Sequence, residues 1–430
     1  MTRRRAARRE EQAEGIHLHH PSGQTPFDGA STQEARWLEE ARLLGFSAAA
    51  ITGPEDFAPQ AAELEEFLRA GRQGQMDYLG TRLSDGALAR ERPRSLLAEA
   101  ESVLVVALPY APSVPLRASR TGSPLTGRVA RYAGGRDYHH ILKERLLLLA
   151  DALADLLGQP VLARACVDTA LVFERQLAER AGLAFLGKNT LAIIPGAGSY
   201  FHLGALFVAA RLERHAGAPA PDGCGRCQAC IDACPTAALD GAHRIDARRC
   251  VSYLTIEHSG AVPRELRRGI GARVFGCDDC QSACPYNRGQ GVLPADPELE
   301  ASEFWQEPEL EALLNLSATG YRRHVRRTAL QRVTRVQLAR NACIALGNTG
   351  SSAAVPLLRE VLRENRPPLV QVHAAWALGE LWARYGHIEA RAVLEEQRAH
   401  PSPEVEAEIA WALGREPERP PLGPEPERPG

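Results

Sequence analysis

The sequence lacks an apolar run long enough to cross a lipid bilayer. Its most apolar stretch, residues 146–157, is interrupted by Asp151 and Asp155 and is shorter than the ~20 residues that a spanning helix needs. A secretory signal is not expected either, because acidic residues follow the N-terminal arginines where a signal peptide would place its apolar core. These observations predict a cytoplasmic protein without a membrane partner, with residues 1–30 as a disordered leader.

Lysine is also scarce, since the 430 residues contain only Lys143 and Lys188 against 49 arginines. A single arginine is therefore weak evidence for a function, whereas Lys188 gains interest. The net charge of −2 does not indicate a polyanionic partner, so any contact with nucleic acid must come from a local basic patch. The length allows about two to four domains.

Eight of the ten cysteines lie in one segment, residues 224–284. The first four follow the C-x2-C-x2-C-x3-C-P spacing of bacterial two-cluster ferredoxins, in which three thiolates bind one cluster and the fourth binds the other. The spacing predicts two [4Fe–4S] clusters with crossed ligands. The first set is Cys224, Cys227, Cys230 and Cys284, and the second set is Cys277, Cys280, Cys250 and Cys234.

Zinc and disulfides explain this segment less well. A zinc ribbon needs two C-x2-C pairs for each metal ion, whereas the triple run supplies three close ligands and a departing fourth. A disulfide framework is typical of short exported chains. Of the two remaining cysteines, Cys166 is interpreted as a small buried apolar residue and Cys343 as a core residue of a helix.

Helical and strand-like patterns alternate over residues 31–214, which predicts an α/β domain. A predicted strand ends at Asp168, just before a predicted helix over residues 172–180. Two interpretations of Asp168 remain open. The side chain either caps that helix or is a catalytic carboxyl at a strand end, where α/β folds build active sites.

Residues 127–140 place arginine, tyrosine and histidine around a glycine pair. One interpretation is a solvated loop in which Asp137 caps a helix over residues 138–157. The other is a surface for phosphates or for a large polar cofactor, because loops often carry function.

The C-terminal third repeats itself. Ala-Leu-Gly triplets end at residues 347, 379 and 414, which are 32 and 35 residues apart, and this period predicts short HEAT-type helical repeats. No acidic residue occurs between Ala312 and Arg359, although a solvated helix face normally mixes charges of both signs. The arginines there predict a phosphate-backbone footprint; they are Arg322, Arg323, Arg326, Arg327, Arg332, Arg335, Arg340 and Arg359.

Several short motifs stand in a fixed order along the chain: Asp137-Tyr-His139, Val167-Asp-Thr-Ala, Glu174-Arg, Gly187-Lys-Asn-Thr, Gly198-Ser, Ser252-Tyr-Leu-Thr-Ile-Glu and Gly276-Cys-Asp-Asp-Cys-Gln. Together with the eight cysteines they resemble the epoxyqueuosine reductase family, cobalamin-dependent enzymes that reduce epoxyqueuosine to queuosine at the wobble position of tRNA. The resemblance covers about residues 32–415, the repeats included.

The resemblance implies a fold class and a domain plan. An α/β cobalamin-binding catalytic domain, similar to that of reductive dehalogenases, is expected over residues 31–214. A bacterial-ferredoxin-like domain with two [4Fe–4S] clusters is expected over residues 215–298, and a HEAT-like repeat domain that binds tRNA over residues 299–415. Residues 416–430 are expected to form a disordered tail.

It also implies roles for individual residues. Asp168 is the expected proton donor, which requires a carboxyl pKa raised by burial or by lost hydrogen bonds. Leu171 stands where the family usually has proline, and this alters the turn after Asp168 without removing its function, because leucine can adopt the backbone angles that proline enforces. The cobalamin contacts expected from motif position are Lys188, Asn189, Ser199, Ser252, Asp278 and Gln281. The tRNA contacts expected from the basic segment are Arg322, Arg323, Arg326, Arg327 and Arg335.

Two other functions remain open on the sequence. A corrinoid-dependent reductive dehalogenase would share the cobalamin and the clusters, and a ferredoxin-type electron carrier would need only the clusters and a docking solenoid. In each case the electrons come from a low-potential donor that the sequence does not identify, and the chain is expected to act as a monomer.

Overall fold

The computed structural model describes residues 32–110, 125–213, 223–288, 295–364 and 366–418. The predicted leader, residues 1–30, and residues 419–430 of the predicted tail lie outside these ranges.

Strands and helices are numbered in chain order. The strands are β1 Ala48–Thr52, β2 Ser102–Pro109, β3 Arg128–Val129, β4 Ala163–Cys166, β5 Phe185–Leu186, β6 Ala192–Ile193, β7 Phe201–Val208, β8 Leu239–Gly241, β9 Arg244–Ile245 and β10 Arg273–Phe275. The helices are α1 Thr32–Leu43, α2 Ala58–Arg69, α3 Tyr138–Leu157, α4 Glu174–Arg180, α5 Ala229–Asp232, α6 Val251–Ile256, α7 Arg264–Ile270, α8 Asp279–Ser282, α9 Glu303–Gln306, α10 Leu310–Leu314, α11 Ala318–Val325, α12 Arg335–Thr349, α13 Ala354–Arg363, α14 Pro368–Ala383, α15 Ile388–Glu396 and α16 Pro403–Leu413. No helix in the described part of the chain is both long and apolar enough to span a membrane.

The chain forms two compact units, and each unit is built from separate stretches. The first contains the described residues of Met1–Pro115, Gly135–Ala247 and Asp278–Glu300. The second contains those of Leu116–Gly134, Arg248–Cys277 and Ala301–Gly430. Residues of the predicted cluster domain, 215–298, therefore belong to both units.

A four-stranded sheet in the order β1-β2-β7-β4 forms the centre of the first unit. Every neighbouring pair is antiparallel, and Ala50 faces Val105, which in turn faces Ala205. Strands β1 and β2 are buried along their whole length, because helices cover both faces of the sheet. Helix α4 packs its Leu177 into the cluster that contains Ala50 and Val105, and α3 covers the opposite face.

The alternation of helices and strands correctly predicted these elements but not their direction. An α/β pattern usually implies parallel pairing, whereas this sheet is antiparallel throughout. Helix α3 begins as expected, since the Asp137 carboxylate accepts a hydrogen bond from the backbone N–H of His139 at 3.1 Å. The capping interpretation of Asp168 is wrong, because α4 begins after Phe173, which occupies the N-cap position.

Five helices, α12 to α16, form the repeat region of the second unit. Gly347 and Gly379 lie inside α12 and α14, and each lets a neighbouring helix approach closely. A Cβ atom on Gly347 would come within 2.7 Å of the Cα atom of Ala377, and one on Gly379 would come within 2.8 Å of the Cβ atom of Ala412. Cys343 of α12 is fully buried, as expected of a core residue.

Arg340 and Asn341 bind the segment that carries Cys250 and Cys277 within the same unit. The Arg340 side chain is fully buried and donates to the carbonyl oxygens of Leu254, His258 and Gly260 at 2.6–2.8 Å. The Asn341 amide donates to two further carbonyl oxygens of this segment. Because buried carbonyl groups must be paired, these contacts fix the segment against α12.

Candidate active site and cluster-binding loops

Asp168 lies in the loop that follows β4, and it contacts two residues from the first turn of α3. The Tyr138 hydroxyl donates to Oδ2 of Asp168 at 2.5 Å. The His139 Nε2 atom lies 2.8 Å from Oδ1 of Asp168. Both contacts depend on the start of α3 at the Asp137 cap, because this start places Tyr138 and His139 beside the loop.

His139 bridges two carboxylates. Its Nδ1 atom lies 2.6 Å from Oδ1 of Asp137, and its Nε2 atom faces Asp168. Although burial opposes the charged imidazolium, the hydrogen bonds and charges of Asp137 and Asp168 outweigh it and raise the pKa of His139 to about 9. His139 is therefore protonated at neutral pH.

The pKa of Asp168 moves in the direction opposite to the sequence expectation. Burial favours the neutral carboxyl, but the hydrogen bond from His139, the charge of His139 and the hydrogen bond from Tyr138 together lower the pKa. The Asp168 side chain is 43% exposed, so it can reach a substrate. At neutral pH the site consists of an Asp168 carboxylate beside a His139 imidazolium.

The aromatic rings of Tyr138 and His202 stack with their centroids 3.8 Å apart and an angle of 4° between their planes. Burial lowers the pKa of His202 to about 3, so this ring is neutral. Because the His202 ring is neutral, His139 is the charged histidine next to the Asp168 carboxylate. The stack holds the Tyr138 ring in place for its hydrogen bond to Asp168.

The roles of Tyr138, His139 and His202 at this site were not predicted from the sequence. The signal was present in Asp137-Tyr-His139 at a helix start, and it was interpreted as a cap or as a polar surface. The sequence separation of 30 positions from Tyr138 to Asp168 hides their contact from any local pattern.

Lys188 lies against the loop of the first predicted cluster. Its Nζ atom donates to the carbonyl oxygen of Gly225 at 2.7 Å and to that of Cys227 at 2.9 Å. These hydrogen bonds support the loop that carries the cluster thiols, and the expected contact of Lys188 with cobalamin stays a prediction.

The thiols of the first predicted set lie close enough to influence one another. Burial raises the pKa of Cys230, and negative charge on Cys224 and Cys284 raises it further. Burial likewise raises the pKa of Cys284, with added contributions from Cys224 and Cys227. The iron atoms of a bound cluster would supply the positive charge that favours the thiolate form of these residues.

No three His, Cys, Asp or Glu side chains among the described residues form a ready site for one metal ion. The second set of cluster ligands, with Cys250 and Cys277 in the second unit and Cys234 and Cys280 in the first, stays a prediction of the cysteine spacing.

The structure shows the hydrogen-bond environment of three expected cobalamin contacts in the first unit: Ser199, Gln281 and Asn189. The Ser199 hydroxyl donates to Oε1 of Gln281 at 3.0 Å, and Asn287 donates to the Ser199 oxygen, so these polar groups bind one another. Asn189 is 4% exposed, and its Nδ2 atom has no hydrogen-bond partner in the described structure. A bound group with an acceptor oxygen would satisfy that amide, which fits a cofactor rich in amides.

The remaining expected contacts can only be placed. Asp278 precedes α8 in the first unit, and Ser252 lies in α6 of the second unit.

The basic segment divides into two groups of arginines. Arg340 is fully buried, Arg332 forms an ion pair with Glu257, and Arg359 forms one with Glu396. For Arg340 the expectation of a phosphate footprint is wrong, because its guanidinium group is fully buried and bound to carbonyl oxygens. Arg332 and Arg359 are 44% exposed and stay predictions of the charge pattern. The other five are exposed and form no ion pair within the described ranges: Arg322, Arg323, Arg326, Arg327 and Arg335.

Three family models match the chain. They are described as epoxyqueuosine reductase QueG, DUF1730 over residues 90–169, a 4Fe-4S double cluster binding domain over residues 223–287, and HEAT repeats over residues 324–414. The second and third confirm the predicted cluster segment and repeats.

Known epoxyqueuosine reductases are similar over most of the chain. The Pseudomonas aeruginosa enzyme is 42% identical over 347 residues, which is 78% of this chain and 91% of the relative. The Escherichia coli enzyme is 36% identical over 340 residues, covering 78% and 86%. A crystal structure of epoxyqueuosine reductase with an epoxyqueuosine-modified tRNA-Tyr stem loop is 30% identical, with a TM-score of 0.77 and coverage of 88% and 96%.

Proposed function

This chain belongs to the epoxyqueuosine reductase family and is an oxidoreductase, and we propose that its substrate is a tRNA that carries epoxyqueuosine at the wobble position. The product is queuosine. The observation that carries this proposal is the paired Asp168 and His139 in the same unit as four cluster thiols. A proton source and an electron source are the two things that the reduction of an epoxide requires.

The reaction removes one oxygen atom. Two C–O bonds break, two electrons and two protons are consumed, and an alkene and water are formed. When bound, the two [4Fe–4S] clusters would supply single electrons from a low-potential donor, and cobalamin would supply a cobalt that can engage carbon or oxygen directly.

The chain's own residues have distinct tasks. Cys224, Cys227, Cys230 and Cys284 hold the first cluster, and the Nδ2 atom of Asn189 is available to a polar group of cobalamin. Asp168 transfers a proton to the departing oxygen of the substrate. Cys234, Cys250, Cys277 and Cys280 are assigned to the second cluster by their spacing.

The alternative functions fit less well. A ferredoxin-type carrier leaves the Asp168 site without a task. A dehalogenase does not need an arginine surface for tRNA, and the chain matches epoxyqueuosine reductases over 78% of its length. Because tRNA is modified in the cytoplasm, the enzyme is assigned to that compartment, where it acts as a monomer.

A direct assay tests the substrate. The purified protein, with both clusters and cobalamin loaded, is incubated with epoxyqueuosine-tRNA and a low-potential reductant, and the tRNA is digested to nucleosides. The product nucleoside should be lighter by one oxygen atom, and the reaction should require cobalamin. Unchanged epoxyqueuosine with intact clusters and bound cobalamin would refute the proposal.

The five exposed arginines, Arg322, Arg323, Arg326, Arg327 and Arg335, provide the tRNA-binding surface. Each phosphate contact that is lost should reduce the slope of log affinity against log salt by about 0.7–0.9. Arg326→Gln should show this reduction. Arg359→Gln is the matched control, because its guanidinium group is paired with Glu396, and it should leave the slope unchanged. Equal slopes for wild type and Arg326→Gln would remove Arg326 from the tRNA surface.

A further inference from the structure

Asp137, His139 and Asp168 form a row in which both imidazole nitrogens face carboxylate oxygens. The distances are 2.6 Å from Nδ1 to Asp137 and 2.8 Å from Nε2 to Asp168. Both are hydrogen-bond distances for a nitrogen donor and a charged oxygen acceptor. The second oxygen of Asp168 accepts from Tyr138, so the carboxylate is bound on both sides.

Counting hydrogens shows that this row holds one extra proton. A neutral imidazole carries a single N–H group, and an ionised carboxylate can only accept. Two N···O hydrogen bonds therefore need either an imidazolium between two carboxylates or a protonated carboxyl at one end. In both cases the row contains one proton more than a neutral histidine between two aspartates.

We propose that His139 stores the proton that Asp168 delivers to the departing oxygen of the substrate, and that Asp137 keeps this store charged. This inference rests on the proposed reduction of epoxyqueuosine. His139 acts through Asp168, so it is a positioning residue that also holds the proton.

The step balances with the electrons already assigned. One C–O bond of the epoxide breaks as the electrons arrive, and the oxygen takes the proton that has passed from Nε2 of His139 through Asp168. The neutral imidazole then retains the hydrogen on Nδ1, which stays hydrogen-bonded to Asp137. Its Nε2 atom takes up a new proton from water. The second proton comes from water when the second C–O bond breaks, so the oxygen leaves as water.

The groups around the row favour this arrangement. Tyr138 donates to Asp168 and stacks on neutral His202. Arg90, which is 8% exposed, and Glu174 also interact electrostatically with Asp168. The raised pKa of His139, about 9, keeps the store filled at neutral pH.

The first test measures protonation without turnover. In protein labelled with ¹³C at the histidine ε1 carbon and loaded with both cofactors, the His139 resonance is assigned as the one that His139→Gln removes. It should titrate near pH 9 in the wild type and at lower pH in Asp168→Asn. Titration at or below the ordinary pKa of about 6.5 would overturn the proposal.

The second test measures the pH profile of a single turnover on epoxyqueuosine-tRNA. The wild-type rate should fall above about pH 9, whereas His139→Gln should be slower by about 10²-fold and should lack that fall. His140→Gln is the matched control, because this neighbour is exposed and lies outside the row, and it should keep the wild-type profile. A wild-type profile in His139→Gln would overturn the proton store.

The two tests separate failure of the inference from failure of the proposed function. If wild-type protein reduces the tRNA but His139 titrates near 6.5, only the proton store is wrong. If His139 titrates near 9 but the wild-type protein does not reduce the tRNA, the proposed substrate is wrong.

Discussion

Glu408 is the buried carboxylate on which two arginines of α7 converge, and its removal gives the sharpest stability prediction. It accepts hydrogen bonds from Arg264 at 2.8–3.0 Å and from Arg267 at 2.8 Å. The side chains of Glu408 and Arg267 are 4% and 3% exposed, and that of Arg264 is 42% exposed. The substitution Glu408→Gln keeps the size of the side chain and removes the charge.

The magnitude follows from burial. Removing one partner of a buried ion pair costs about 3–5 kcal/mol, because the other charge is left uncompensated. The contact with Arg264 adds little, since exposed pairs contribute about 0–1 kcal/mol. Because glutamine still offers an acceptor to Arg267, we expect the lower end, about 3 kcal/mol of unfolding free energy. In a domain of 150–250 residues this corresponds to a fall in Tm of about 6–12 °C.

Thermal unfolding of the cofactor-loaded protein measures the shift. Glu406→Gln is the matched control, because Glu406 is exposed on the same helix, and it should change the free energy of unfolding by less than about 0.5 kcal/mol. A fall of less than ~2 °C for Glu408→Gln, where about 6 °C is the least expected, would show that Arg267 does not depend on Glu408.

Three further predictions concern the cluster loop, the repeats and the proton store. Lys188→Met removes a positive charge from the first cluster loop, so the reduction potential of that cluster should fall in an EPR-monitored titration; an unchanged potential would contradict this. Gly347→Ala should destabilise the protein by about 1–3 kcal/mol through overpacking. Gly414→Ala is the control and should be tolerated, because its Cβ atom would lie 3.4 Å from its nearest neighbour. Equal Tm values for the two variants would contradict the close helix contact at Gly347. Asp137→Asn removes one of the charges that raise the pKa of His139. The stability that this raised pKa provides is full below about pH 6.5 and is lost as the pH rises through about 9. In unfolding measured as a function of pH, the variant should therefore lose this stability at a lower pH than the wild type. An identical pH dependence would refute the role of Asp137.

The sequence predicted most helices and strands of the first unit but not how the strands pair. Strand β2 reads as an apolar run because both of its faces are buried, and such runs are usual in parallel sheets. Direction depends on how the chain returns to the sheet, and no local pattern carries that information. Asp137 as a cap was predictable, because its side chain acts on the next turn of the chain.

The candidate site was predictable only in part. Asp168 and the eight cysteines were assigned from motif and spacing, and these assignments stay predictions. The expected pKa direction of Asp168 was wrong, because it depends on Tyr138 and His139 from another element. Charge counting also failed for Arg340, which reads as one member of a basic segment. Its burial and its three carbonyl partners are tertiary features.

The contact between Arg340 and the segment around Leu254 has a consequence for synthesis on the ribosome. Arg340 follows Leu254 by 86 residues, and translation proceeds at about 5–20 residues per second. About 4–17 s therefore pass between the synthesis of Leu254 and that of Arg340, and until then the helix that fixes the segment of Cys250 and Cys277 is missing. We expect iron–sulfur insertion at these two thiols to wait for that helix, and a chain that ends before α12 to leave the second cluster unassembled.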